Sequence, residues 1–211
     1  MKVGFIVECQ KDGPDQKVIY WLLRNHATHV TPVFSPQTNK KGIEQNCGNA
    51  AKNLLADGCE RVVIVWDLHP YSWETPEEQR QADRTPCLKE DRDKIYTALD
   101  AAGVDRQNVF LVAIEFMLES WLIADKAAIA ALLNKKRRAA PVNAQGVGNV
   151  NPATEQRPKD ALSKMFERNQ KPAYKDYQHA EQIAREIADL NELRRHCPTF
   201  VRFWEKATEE Q

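Results

Sequence analysis

The chain has 211 residues with 30 Lys+Arg against 30 Asp+Glu, so no global basic field draws it toward nucleic acid, and any such binding must rest on local patches. Its 42% hydrophobic and 28% charged residues exclude a disordered chain, and no apolar run approaches the roughly eighteen residues that cross a bilayer. The five cysteines (Cys9, Cys47, Cys59, Cys87, Cys197) are scattered and form no CxxC pair. With no basic-then-apolar leader at the start, the expectation is reduced thiols in a cytoplasmic protein, without a zinc ribbon, disulfide framework or membrane partner.

In chain order, residues 2–8 read as a buried strand, 15–25 as a helix and 29–34 as a second strand. Residues 43–56 read as a helix stopped by Gly58, and 61–66 as a third, β-branched strand. Residues 88–102 read as a helix stopped by Gly103, and 108–114 as a fourth strand. Short strands alternating with helices predict an α/β fold with a parallel sheet. Residues 116–133 carry apolar positions at helical spacing, followed by Lys135-Lys-Arg-Arg138 and a turn-rich stretch from Pro141 to Pro158. Beyond it the chain reads as wholly helical, with Pro158 and Pro198 suited to first turns. The predicted organisation is an α/β core over 1–140, a linker over 141–157, and an all-helical C-terminal extension over 158–211 packed on that core.

Acidic residues stand at the predicted strand ends. Glu8 closes the first strand, Asp67 the third, and Glu115 follows the fourth. A carboxylate just past a buried parallel strand emerges at the carboxyl edge of the sheet, where open α/β sheets bind ligands. Carboxylates crowded there repel unless a divalent cation stands between them. Glu8 is either a general acid/base or a solvated strand end, and Asp15 reads as an N-cap. Asp67 and His69 lie on one side of an extended backbone and could share a cation, or Asp67 is a cap and His69 a packed residue before Pro70. Glu115 and Glu119, four apart at a helix start, would share a face, as a site or as surface. Tyr71 and Trp73, in the loop after Asp67, could stack on a base or anchor the loop. Lys135 and Arg137 could grip phosphates or simply complement a helix C-terminus. No GxxxxGK[ST] or GxSxG motif occurs.

A strand ending in Glu8, a third ending in Asp67 with a ligand-type residue at 69, and later acidic residues resemble the Toprim fold of topoisomerases, primases and the overcoming-lysogenization-defect (OLD) nucleases. More specifically, Glu119-Ser-Trp-Leu-Ile-Ala-Asp125 resembles the Glu-x-Trp-x-x-Ala-Asp signature of a bacterial Toprim-like family, domain of unknown function 4276. Arg157-Pro-Lys-Asp-Ala-Leu162, Tyr174-Lys175 and Leu193-Arg-Arg-His-Cys-Pro-Thr-Phe200 are similar to its C-terminal helical pattern.

The resemblance implies a Toprim-like sheet flanked by helices, a Mg²⁺ or Mn²⁺ site, and phosphodiester chemistry on DNA or RNA. It casts Glu8 as the acid/base, Asp67 as a metal ligand with His69 beside it, Glu119 as the residue completing the site, and Glu115 as a further ligand. It also implies an ATPase partner in a phage-defence system, with this chain as the nuclease effector. Two departures stand out: His69 occupies a place where many Toprim proteins have a second Asp, and Cys9 replaces the usual glycine after the glutamate. They leave open a catalytically silent, Toprim-shaped partner of an ATPase. A small-molecule phosphohydrolase on a similar sheet is a further alternative.

Overall fold

A computed structural model describes residues 1–68, 88–135 and 140–209. Four strands, β1 (Lys2–Glu8), β2 (Thr31–Gln37), β3 (Arg61–Asp67) and β4 (Val109–Ile114), form one parallel sheet in the order β2-β1-β3-β4. The parallel α/β expectation is met. The two central strands each bury five consecutive residues, Val3–Val7 and Val62–Trp66, because helices cover both faces. β2 runs beyond the expected end at Phe34 to Gln37, with Pro32 and Pro36 inside it. Among the described residues it pairs only with β1, and an edge strand tolerates the missing N–H of proline. In register, Val7 pairs with Val65, Glu8 with Gln37 and Asp67 with Ile114, so the strands end together at one edge.

The connections reverse direction between β1 and β3. Helix α1 (Pro14–His26), which links β1 to β2, packs on one face. Helices α2 (Lys40–Ala56) and α3 (Leu88–Ala101) pack on the other. Strand alternation sorts the core to match: Val3, Phe5, Val7, Val63 and Val65 face α1, while Ile6, Val62, Ile64 and Trp66 face α2 and α3. The second face is tightly closed. A Cβ built on Gly48 of α2 would lie 2.0 Å from the Ala98 carbonyl oxygen of α3, so only glycine lets these helices approach so closely.

After β4 the structure departs from the single helix expected over 116–133. A bend carries residues 115–118, and two helices follow: α4 (Glu119–Ala124) and α5 (Lys126–Asn134). Asp125 divides them. Its carboxylate accepts a 2.8 Å hydrogen bond from the Ala128 amide, ending one helix and capping the next. The stretch read as a linker contains a short helix, α6 (Ala144–Val147), whose Val147 is fully buried. Asn134 fastens this stretch through hydrogen bonds of 2.8 Å to both the N–H and the C=O of Val142.

Helices α7 (Pro158–Arg168), α8 (Asp176–Glu186), α9 (Asn191–His196) and α10 (Pro198–Thr208) complete the cover of the α1 face. Phe200 and Phe203 of α10 pack around Trp121 of α4, and Phe203 reaches Phe5 of β1. The Trp121 indole N–H donates to the Thr199 hydroxyl at 3.0 Å, so a large apolar side chain enters the core with its polar atom satisfied. These side chains belong to one hydrophobic cluster with β1, β3 and β4. Burying each such ring stabilises the fold by roughly 1.5–3 kcal/mol. No described helix is long and apolar enough to cross a membrane.

Candidate functional site

The carboxyl ends of β1 and β3 flank the topological switch point, where the connections leave in opposite directions, the edge at which open α/β sheets place their ligand clefts. Glu8 and Asp67 are the last residues of these two strands. Their neighbours come from the first turns of helices: Asp15 from α1, Lys40 from α2, Glu119 from α4, Lys159 from α7 and Asp176 from α8. Helices α1 and α8 lie side by side and run the same way, with Lys17 3.8 Å from Glu181, the Trp21 indole donating to Glu181 at 3.0 Å, and His26 3.1 Å from the Ile187 carbonyl. Both therefore aim their positive dipole ends at the cleft.

The Asp67 amide donates to Glu8 Oε2 at 3.2 Å, tying the two strand ends together. Burial pushes the Glu8 carboxyl up to about 7, against the downward pull of the Asp67 and Lys40 amides and the Lys40 ammonium. Burial likewise raises Asp67 well above the ordinary carboxylate range, and the charges of Glu8, Asp15 and Glu119 add to it. Asp15 is raised in the same way by burial, then by Glu119 and Glu8. Glu119 is raised by burial, with Lys159 opposing. These four carboxyls thus occupy one electrostatic site.

Lys159 is the counter-charge on the helical side. Its Nζ stands 3.6 Å from Glu119 Oε1 and 2.7 Å from Asp176 Oδ2. Burial pushes the Asp176 carboxyl up, but the Lys159 hydrogen bond and charge outweigh this and hold it below the usual range. The buried Tyr174 hydroxyl donates to Glu119 Oε1 at 3.4 Å. On the other side, Lys40 Nζ contacts the Asp91 carboxylate at 2.6 Å and the Leu68 carbonyl at 3.2 Å. The buried Asp91 also accepts from the Trp66 indole at 3.1 Å, which anchors α3 to β3 beside the cleft.

Of the residues expected at the site, the structure brings together Glu8, Asp67 and Glu119. Glu115 is exposed in the bend after β4 and does not share a helical face with Glu119, because that helix begins only at Glu119. Asp15 is not the N-cap of α1. Gly13 holds that position with Pro14 first in the helix, which frees the Asp15 carboxylate for the cleft. Asp125 caps α5 through the Ala128 amide. Lys135 is exposed at the end of α5 and pairs with Glu186 at 2.5 Å. His69, Tyr71, Trp73 and Arg137 lie outside the described residues. The residues that sequence reading passed over are Asp15, Lys40, Asp91, Lys159, Tyr174 and Asp176. Lys159 and Tyr174 lay within the segments that carried the family resemblance, and Asp176 follows directly.

Among the described residues, no three His, Cys, Asp or Glu side chains stand close enough to enclose a metal ion by themselves. The donor set nevertheless suits a hard cation, because it consists of carboxylate oxygens around a cleft with few positive charges. Mg²⁺ is commonly held by one or two carboxylates, with waters and substrate phosphates completing its shell.

This fold and cleft define an open α/β protein with an acidic site at its topological switch point. The chain belongs to the family described as domain of unknown function 4276, whose model matches residues 16–206. The match leaves out β1, and with it Glu8 and Asp15. Neither the curated proteins nor the solved structures gave a match to this chain.

Proposed function

We propose that this protein is a Mg²⁺- or Mn²⁺-dependent hydrolase of phosphodiester bonds, a Toprim-like nuclease acting on DNA or RNA. In the same reading it serves as the effector of an ATPase-associated phage-defence system. The observation that carries the chemistry is the Glu8–Asp67 pair at the switch point, with Asp15 and Glu119 in the same electrostatic site. Asp67 and Glu119 would hold the cation. When bound, it supplies Lewis-acid polarisation of a phosphoryl oxygen and activation of water.

The chain's own residues set up the rest. Glu8, fixed by the Asp67 amide and titrating near neutrality, takes a proton from the attacking oxygen. Tyr174 orients the Glu119 carboxylate. The amides at the starts of α1 and α8 favour an anionic group at the mouth of the cleft.

A cleavage assay on DNA and RNA with Mg²⁺ or Mn²⁺ tests this reading. Wild type cuts and folded Asp67→Asn does not. An Asp67→Asn protein that cleaves at the wild-type rate refutes the assignment. A second reading, a catalytically silent partner of an ATPase, is favoured by Lys159, which neutralises Glu119 without any metal. Calorimetry separates the two, since folded wild type that takes up no Mn²⁺ selects the silent partner.

A further inference from the structure

We infer that Lys159 is an internal counter-ion that takes a cation's place beside Glu119 in the metal-free protein, and that a divalent cation must displace it. The inference rests on the metal-dependent reading above. Three observations carry it. First, Lys159 sits in the first turn of α7, where the helix dipole disfavours a positive charge, so its position serves the cleft and not its own helix. Second, its ammonium bridges two acidic side chains from different elements, Glu119 of α4 at 3.6 Å and Asp176 of α8 at 2.7 Å. Third, the partners are unequally free to move: the Glu119 side chain is 4% exposed and that of Lys159 36%. Glu119 is fixed in the protein, while the lysine can swing its charge into solvent and remain paired with Asp176.

A removable ammonium solves a folding problem. Crowded, partly buried carboxylates with no cation would repel one another and resist ionisation. Lys159 holds the cleft together until a divalent ion arrives, and it weakens that ion's binding by its own like charge. Metal affinity is therefore set by a residue that ligates nothing.

The test is calorimetric titration of Mn²⁺ into wild type, Lys159→Met and the charge-keeping Lys159→Arg. We expect Lys159→Met to bind at least about tenfold more tightly than wild type, and Lys159→Arg to stay within about threefold of it. Binding by Lys159→Met alone means that no cation displaces the wild-type lysine, and overturns the inference. Equal or weaker binding by Lys159→Met overturns it while leaving the metal reading intact. No binding by any of the three proteins overturns both. If Lys159→Met does not fold, acetic-anhydride labelling of wild type, read by mass spectrometry, decides the matter. Lys159 labels several-fold faster with saturating Mg²⁺ than with chelator, and an unchanged rate overturns the inference.

Discussion

The amide of Asp67 donates to the carboxylate of Glu8 across 3.2 Å, so the last residue of β3 holds the last residue of β1 in place. The two acids are neighbours because their strands are neighbours, although they lie 59 positions apart in the chain. A main-chain donor survives side-chain substitution at Asp67, which makes the pair open to clean tests.

Asp67→Asn removes a half-buried charge that repels Glu8, Asp15 and Glu119 but keeps the amide that positions Glu8. The metal-free variant is expected to be more stable than wild type at pH 8, by about 1 kcal/mol. Urea denaturation in chelator checks this. A variant less stable than wild type contradicts this repulsion.

Glu8→Gln keeps the shape of the side chain and removes its proton chemistry. Cleavage is expected to fall by about 10²–10⁴-fold. In wild type the rate is expected to rise with pH along a limb at or below about 7, because a cation beside the carboxyl would favour its ionised form. The variant lacks this limb, so rate–pH profiles of the two proteins are the measurement.

The raised carboxyls also make stability depend on pH. Glu8 binds its proton more tightly when folded, at about 7 against an ordinary value of 4.5. The stabilisation is therefore fully present below pH 4.5 and is lost as pH rises through 7. For Glu8 alone the loss is on the order of 3 kcal/mol, and Asp67, Asp15 and Glu119 shift in the same direction. Metal-free protein is expected to melt at a lower temperature at pH 8 than at pH 5.5. Saturating Mg²⁺ or Mn²⁺ narrows the difference, as scanning calorimetry with and without chelator would show.

Gly48→Ala tests the packing behind the site. The added methyl would meet the Ala98 carbonyl at 2.0 Å, and this neighbour is backbone of α3, not a flexible side chain. The helices must separate, at about 1–3 kcal/mol of stability. Because α3 carries Asp91, which pairs with Lys40 beside Glu8, activity is expected to fall along with stability. Chemical denaturation and cleavage rates on one preparation check both effects.

The sequence by itself determined the alternation of strands and helices, because period-2 burial and unbroken apolar runs are local signals. It also placed Glu8 and Asp67 at strand ends, and a parallel sheet sends all such ends to one edge. It could not assign Asp15 to the cleft, since an aspartate before a helix looks the same whether it caps the helix or, as here, follows a Gly13-Pro14 start. It paired Glu115 with Glu119 on a helix that the chain does not begin until residue 119. Lys159, Tyr174 and Asp176 were legible only as parts of a family-like segment. Their meeting with Glu119 depends on how α7 and α8 pack against α1 and α4. Hydrophobic burial fixes that packing through contacts distant in sequence, and so the tertiary structure alone decided which charges share the cleft.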